Sequence, residues 1–194
     1  MTTKAAPWTT LDTEILGTYP IFELSRSRQR SPISGREHHF CKLDCPDWVN
    51  IVAVTGSGEM VLVTQYRHGT DSMTLEIPGG AVDPGEDPAT TAARELEEET
   101  GYRPAELVEI GAVEPNPAFL SNRCWTYLAL GCRADGQTQF DPSVEIQVSL
   151  APLAEFGRLI DSGEITHSLV VAGHDHLRRG ISRGADWVAR LPQS

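Results

Sequence analysis

The sequence predicts an α/β domain, and three observations predict it. Short runs rich in β-branched and aliphatic residues, such as WVNIVAVT from Trp48 and EMVLVTQYR from Glu59, have strand length and strand composition. The stretch GGAVDPGEDPATTAARELEEETGY, Gly79 to Tyr102, reads as a glycine-rich turn feeding one helix. The chain beyond Ala151 then changes to helical spacing.

Taken in order, residues 1–12 read as a loose arm. TYPIFELSRS and REHHFCKLDC follow as two strands, separated by the Ser-, Pro- and Gly-containing turn RQRSPISG. They resemble a hairpin ahead of the main domain. WVNIVAVT is nearly all apolar, as a strand buried on both faces should be. Ser57-Gly58 turns the chain into EMVLVTQYR, and TLEIPGG leads to the helix. AELVEIGAVEP and CWTYLALGC read as two more strands, joined by the connector NPAFLSN, 116–122. The polar loop DGQTQFDPSVE precedes a last strand, IQVSL. APLAEFGRLIDSG then carries Leu153, Phe156, Leu159 and Ile160 at helical spacing, with Gly163 as a stop. THSLVVAGHDHLRRG is expected to form a helix from about Thr166 that buries Leu169, Val170 and Leu177. RGADWVARL closes the chain as a short helical turn. No internal repeat or low-complexity linker interrupts it, so the economical division is an N-terminal arm and strands, 1–46, and one domain, 47–194.

The helix at Pro88 carries the chemistry. Asp87 is a good N-cap, Pro88 a good first residue, and Gly101 stands where a left-handed cap would end the helix. Ala89, Ala92, Ala93, Leu96 and Thr100 form a small, mostly apolar stripe. At about 100° per residue, Glu95, Glu98 and Glu99 gather on a neighbouring arc, and Glu97 points elsewhere. Three carboxylates that close repel one another unless a cation lies between them. Magnesium takes such oxygen ligands, often beside substrate phosphates. Gly79 and Gly80 allow a close backbone approach and leave a carbonyl free for a metal site. Arg94 lies among the acids, where it can pair with one of them and hold the loop to the helix.

The order Gly80, five residues, Glu86, seven residues, Arg94-Glu95-Leu96, one residue, Glu98-Glu99, one residue, Gly101-Tyr102 resembles the Nudix box. Tyr102 alone departs from it, standing where the family usually has an aliphatic residue. The resemblance implies an alpha/beta/alpha sandwich with a mixed sheet. It also implies magnesium-dependent hydrolysis of a nucleoside diphosphate linked to another group; manganese is the alternative ion. Gln65-Tyr66-Arg67, followed by Glu76-Ile77-Pro78-Gly79-Gly80, narrows the resemblance to the branch of ADP-ribose pyrophosphatases and other nucleotide-sugar hydrolases.

Arg67, at a strand end, is placed to hold a phosphate by paired charge-assisted bonds. Glu76 either accepts bonds from a ribose or pairs with an arginine. In the family the connector at 116–122 lies at the rim of the substrate site, where Phe119 could stack on a base or anchor its own loop. Attack of water on phosphorus needs a base, and hydrolases of this branch draw a further Glu from a loop before the last strand. Glu145 is the only glutamate there. Metal binding therefore falls to the Gly79 carbonyl, Glu95, Glu98 and Glu99, with Arg94 and Glu86 supporting them.

The 194 residues carry a net charge of −11. The Gly79–Tyr102 stretch contributes more than half of that excess, with seven acids against one base. Such a surface argues against nucleic acid as a partner; the best basic run is only Arg26, Arg28 and Arg30. No apolar run is long enough to span a membrane and the start lacks a signal-peptide core, so a cytoplasmic protein is expected. Cys41, Cys45, Cys124 and Cys132 are then expected to be reduced thiols without zinc. His174 and His176, two residues apart on a helix, do not face each other and are expected to be solvated or capping. By family resemblance the N-terminal strands pack on a second subunit, making a homodimer. Rival readings are hydrolysis of dinucleoside polyphosphates or nucleoside triphosphates, and a nucleotide-sensing domain without hydrolysis, which would have lost box carboxylates.

Overall fold

In the computed structural model, residues 6–139 and 145–192 are described. The chain falls into two units, Met1–Pro46 with Glu114–Arg123, and Asp47–Val113 with Cys124–Ser194.

The first unit is a three-stranded antiparallel sheet of β1 (Thr9–Tyr19), β2 (Phe22–Arg30) and β3 (Glu37–Asp44). Its first strand begins at Thr9, inside the predicted loose arm 1–12, and ends at Tyr19, so the predicted strand TYPIFELSRS is broken by a turn before Phe22. TTLDTEILGTY is polar and weakly alternating, and pairing completes it. Thr13 stands opposite Ser27, and Arg26 and Arg28 reach across to Glu14 and Asp12 at 2.7 and 2.6 Å. Those ion pairs, with Arg28 and Arg30 on Glu37, also pair off the basic run that was the best candidate for an anion-binding surface. In the 114–123 segment, the Leu43 N–H bonds the Phe119 carbonyl at 2.8 Å, and the Ser121 N–H returns to the Leu43 carbonyl at 3.2 Å.

The second unit is built on a mixed sheet in the order β10-β5-β4-β9-β8. These are β4 (Trp48–Thr55), β5 (Glu59–Arg67), β8 (Glu106–Val113), β9 (Cys124–Cys132) and β10 (Ile146–Pro152). The short β6 (Ser72–Glu76) pairs with β5, and β7 (Gly79–Ala81) pairs with β4. Among the described strands of this sheet, only β4 and β9 run parallel. Strand alternation sends Val52, Val54, Met60, Leu62 and Leu128 to one face. There α2 (Phe156–Asp161) and α3 (Ser168–Ser182) cover them with Phe156, Leu159, Val170 and Leu177. Val49, Ile51, Ala53, Val61 and Ala129 go to the other face, under Ala92 and Leu96 of α1 (Pro88–Thr100). Helices on both faces make an alpha/beta/alpha sandwich, and they explain why β4 is apolar throughout.

Two boundaries shift. β10 continues through Pro152, so the predicted helix starts as a 3₁₀ turn at Leu153–Glu155 before α2. The histidines of α3 do not cap it and are half-buried rather than free in solvent. His174 packs edge-on against Phe156 at 4.9 Å. His176 lies over Gly111 of β8, where an added Cβ would come within 2.3 Å of its ring. All four cysteines are free.

Candidate active site

The helix α1 is set by its ends. Asp87, with extended backbone, accepts at its side chain from the Ala89 and Thr90 N–H groups, Pro88 follows, and Gly101 closes the helix at φ 73°. So fixed, α1 turns Ala92 and Leu96 to the sheet and Glu95, Glu98 and Glu99 to the neighbouring arc. Glu97 leaves this group and binds Arg103 through two bonds of 2.6 and 2.8 Å.

Arg94 is the cation among these acids. Its Nη1 donates to Glu95 and Glu98, each at 2.9 Å, and its Nη2 and Nε to Glu86 at 3.0 and 3.3 Å. The sequence leads one to expect a single pairing, and the structure has three, with Asp83 nearby at 3.7 Å. Hydrogen bonds from Arg94 and Thr91 hold the Glu86 carboxyl below the usual range. Burial nevertheless raises Glu95, and the opposing charge of Arg94 does not cancel it.

Glu99 lies outside the reach of Arg94. Burial pushes its carboxyl up to about 8, against the pull of a 3.1 Å bond from the Gly79 N–H. The two glycines make this approach possible. A Cβ on Gly79 would meet the Val49 carbonyl oxygen at 2.3 Å, and one on Gly80 would meet the Glu95 carboxyl carbon at 2.4 Å. Backbone and carboxylates are thus packed closer than any side chain would permit.

At the end of β5, Arg67 donates Nε and Nη2 to the two oxygens of Glu76, at 2.8 and 2.7 Å. The Thr74 hydroxyl donates to the same carboxylate. Of the two roles left open for Glu76, the structure supplies the arginine pair. Burial alone would raise Glu76, but Arg67 and Thr74 bring it below its ordinary value. Arg67 also feels the charge of Glu99, which joins the strand-end pair electrostatically to the acids of α1.

Glu145 is exposed and precedes β10, whose Ile146 pairs with Gln65. That register sets its backbone at the Arg67 end of the sheet. The loop residues 140–144 before it lie outside the described residues. Phe119 belongs to the first unit, where it is half-exposed. Among the described residues no three Asp, Glu, His or Cys side chains are gathered into a metal cage; Glu95 and Glu98 are turned onto Arg94. His167, the N-cap of α3, belongs to no motif of the sequence and feels the charges of both Glu76 and Arg67. Only its place on α3 distinguishes it, and the sequence carries no signal for that.

The family model for the NUDIX domain matches residues 46–171. The chain belongs to the Nudix family. Within it, the chain is 34% identical over 171 residues to the ADP-ribose pyrophosphatase of Mycobacterium tuberculosis H37Rv, covering 84% of this chain and 80% of that one. It is also 34% identical over 146 residues to the CMP-5'-(N-acetyl-N-hydroxy-3-aminopropyl)phosphonate hydrolase of Streptomyces rubellomurinus, covering 71% and 68%. A crystal structure of an ADP compounds hydrolase superposes with a TM-score of 0.84 at 20% identity, covering 95% of this chain and 99% of that one; this supports the fold. The protein is a Nudix phosphoanhydride hydrolase of the ADP-ribose pyrophosphatase branch. Every fixed position of its Nudix box falls on β7, α1 or the turns that join and end them.

Proposed function

We propose that this Nudix hydrolase cleaves the pyrophosphate bond of ADP-ribose or a closely related nucleoside diphosphate sugar with magnesium. The observation that supports this best is the buried Glu99 carboxyl, pushed up to about 8 beside Glu95. A desolvated carboxyl set among other carboxyls is stabilised by a hard cation. The donor set fits magnesium: it is all oxygen, from Glu95, Glu98, Glu99 and the Gly79 carbonyl. Manganese suits the same ligands. When bound, the ion would offset charge on the diphosphate and lower the pKa of a water.

The remaining roles belong to the chain. Arg94 holds Glu95 and Glu98 in place and ties them to Glu86. Arg67, oriented by Glu76, keeps Nη1 for a phosphate oxygen. Glu145 takes a proton from the attacking water as the new O–P bond forms and the bridging P–O bond breaks. From ADP-ribose the products are AMP and ribose 5-phosphate. Phe119 is assigned to the base or ribose, and the N-terminal strands to a homodimer, both through family resemblance. The intact box argues against a sensor that binds without cleaving.

A panel of nucleotide sugars, dinucleoside polyphosphates and nucleoside triphosphates, assayed with magnesium, tests the substrate. Release of AMP from ADP-ribose at the highest kcat/KM is expected. A clear preference for triphosphates would overturn the assignment, and tight binding of ADP-ribose without AMP release would identify a sensor.

A further inference from the structure

Glu97, Glu98 and Glu99 stand in the last turn of α1, and no basic residue stands with them. This is the negative end of the helix dipole, where carboxylates are unfavourable. The last carbonyls of a helix also lack partners within it. Left to itself, such a turn would fray. Glu98 and Glu99, two of the acids assigned to the metal, lie in it.

Residues 133–139, which follow β9, close over this turn. The Gln139 N–H bonds the Glu98 carbonyl and the Gly136 N–H the Gly101 carbonyl, each at 3.0 Å. Arg103 and Arg133 exchange backbone bonds of 2.9 and 3.0 Å. Glu97 is the side chain that joins these parts. Its two oxygens accept from Nε and Nη2 of Arg103, and Oε1 also accepts from the Gln137 N–H at 3.3 Å. Gly136 permits the approach: a Cβ there would stand 2.9 Å from Glu97 Cγ and 3.0 Å from the Gly101 carbonyl oxygen. Arg103 thus brings to the helix end the cation that the last turn lacks. Both side chains of the pair are partly exposed, so the pair alone contributes little. Its weight comes from the segment it holds against the helix.

We propose that Glu97 is a positioning residue for the metal-binding turn: by fastening Arg103 and residues 133–139 to the end of α1, it keeps Glu98 and Glu99 on their arc against the helix dipole and their own repulsion. Glu97 itself touches neither metal nor substrate in this role. The inference rests on the reading of Glu98 and Glu99 as metal ligands.

Manganese is the probe, because the free ion is counted directly by electron paramagnetic resonance. Its affinity is measured without substrate, well below the thermal midpoint, for Glu97→Ala, Arg103→Ala and Gly136→Ala. Each should bind manganese about fivefold more weakly, the most that an exposed ion pair contributes. Glu97→Gln, whose amide oxygen still accepts, should fall between Glu97→Ala and wild type. With ADP-ribose, excess manganese should restore kcat in Glu97→Ala. Arg158→Ala, which breaks exposed pairs with Glu155 and Glu164 on the opposite face of the sheet, should leave manganese affinity unchanged. Amide hydrogen exchange at Thr100 and Gly101 should quicken in Glu97→Ala and not in Arg158→Ala. Wild-type affinity in Glu97→Ala, or an equal loss in Arg158→Ala, would overturn the proposal. If Glu97→Ala does not fold, Glu97→Gln and Arg103→Ala decide. If the wild type binds no manganese, the reading of the metal ligands falls, and the exchange rates still decide whether Glu97 holds the turn.

Discussion

At the scale of single residues, Arg94 and Glu99 divide the acidic cluster. Arg94 satisfies Glu86, Glu95 and Glu98 at once, whereas Glu99 has one backbone N–H and little solvent. Glu99→Gln should therefore cut kcat by at least about a hundredfold, near 3 kcal/mol, and leave the thermal midpoint close to wild type. Near-normal turnover would remove Glu99 from the metal ligands. Arg94→Met should lower stability by about 2 kcal/mol, because partly buried carboxylates are left to repel one another. Urea unfolding with and without magnesium checks this. The ion should restore part of the loss, since it binds only the folded state. Arg67→Ala strands the buried Glu76 carboxylate. Because Arg67 is itself partly exposed, the expected cost is about 2–3 kcal/mol, with a rise in KM. Much of this was legible in the motif, since helical spacing alone separates Glu97 from its three neighbours. The threefold pairing of Arg94 was not, because it depends on how the loop at Glu86 folds back on the helix.

At the scale of elements, the α1 ends and the β7 turn carry the site. Asp87→Ala should cost about 1 kcal/mol through the lost cap. Gly80→Ala is the sharper test. Its Cβ would enter the Glu95 carboxyl group, which can rotate away, so the variant should fold but lose magnesium affinity and turnover together. Metal titration with a folding control reads both. Wild-type activity in that variant would mean that Glu95 need not lie against β7. The caps of α1 were readable because they use local backbone geometry. β1 was not, because its polar alternation becomes a strand only once β2 supplies Arg26 and Arg28.

At the scale of the whole molecule, pH and association come into view. Burial lowers His167, His174 and His176. The unfolded chain then binds their protons more readily than the folded one. Their contribution is fully present above about pH 6.5 and is lost as pH falls through the lower folded values. Glu99 acts in the opposite sense in the metal-free protein: its contribution fades as pH rises from its ordinary 4.5 through about 8. Thermal midpoints of the wild type against His174→Gln/His176→Gln, from about pH 5 to 7, isolate the histidine part. The wild type should lose more stability toward acid than the variant, and parallel curves would refute it. β1 and the turn after it expose Ile15, Leu16, Tyr19 and Ile21, apolar side chains available for association. A homodimer is expected in sedimentation analysis, weakened by Ile15→Lys. A monomeric wild type would overturn the family-based expectation.

The order of residues by itself determined the α/β class, the capped helix, the arc of carboxylates and the Nudix box, because each depends on neighbours within a few turns or on a strand's period. Only the tertiary structure decided that Glu76 serves Arg67 and that Arg94 spans three acids. Those contacts join β5 to β6, and the loop at Glu86 to α1. Which charges are desolvated together depends on how the sheet and helices pack, and local sequence does not record it.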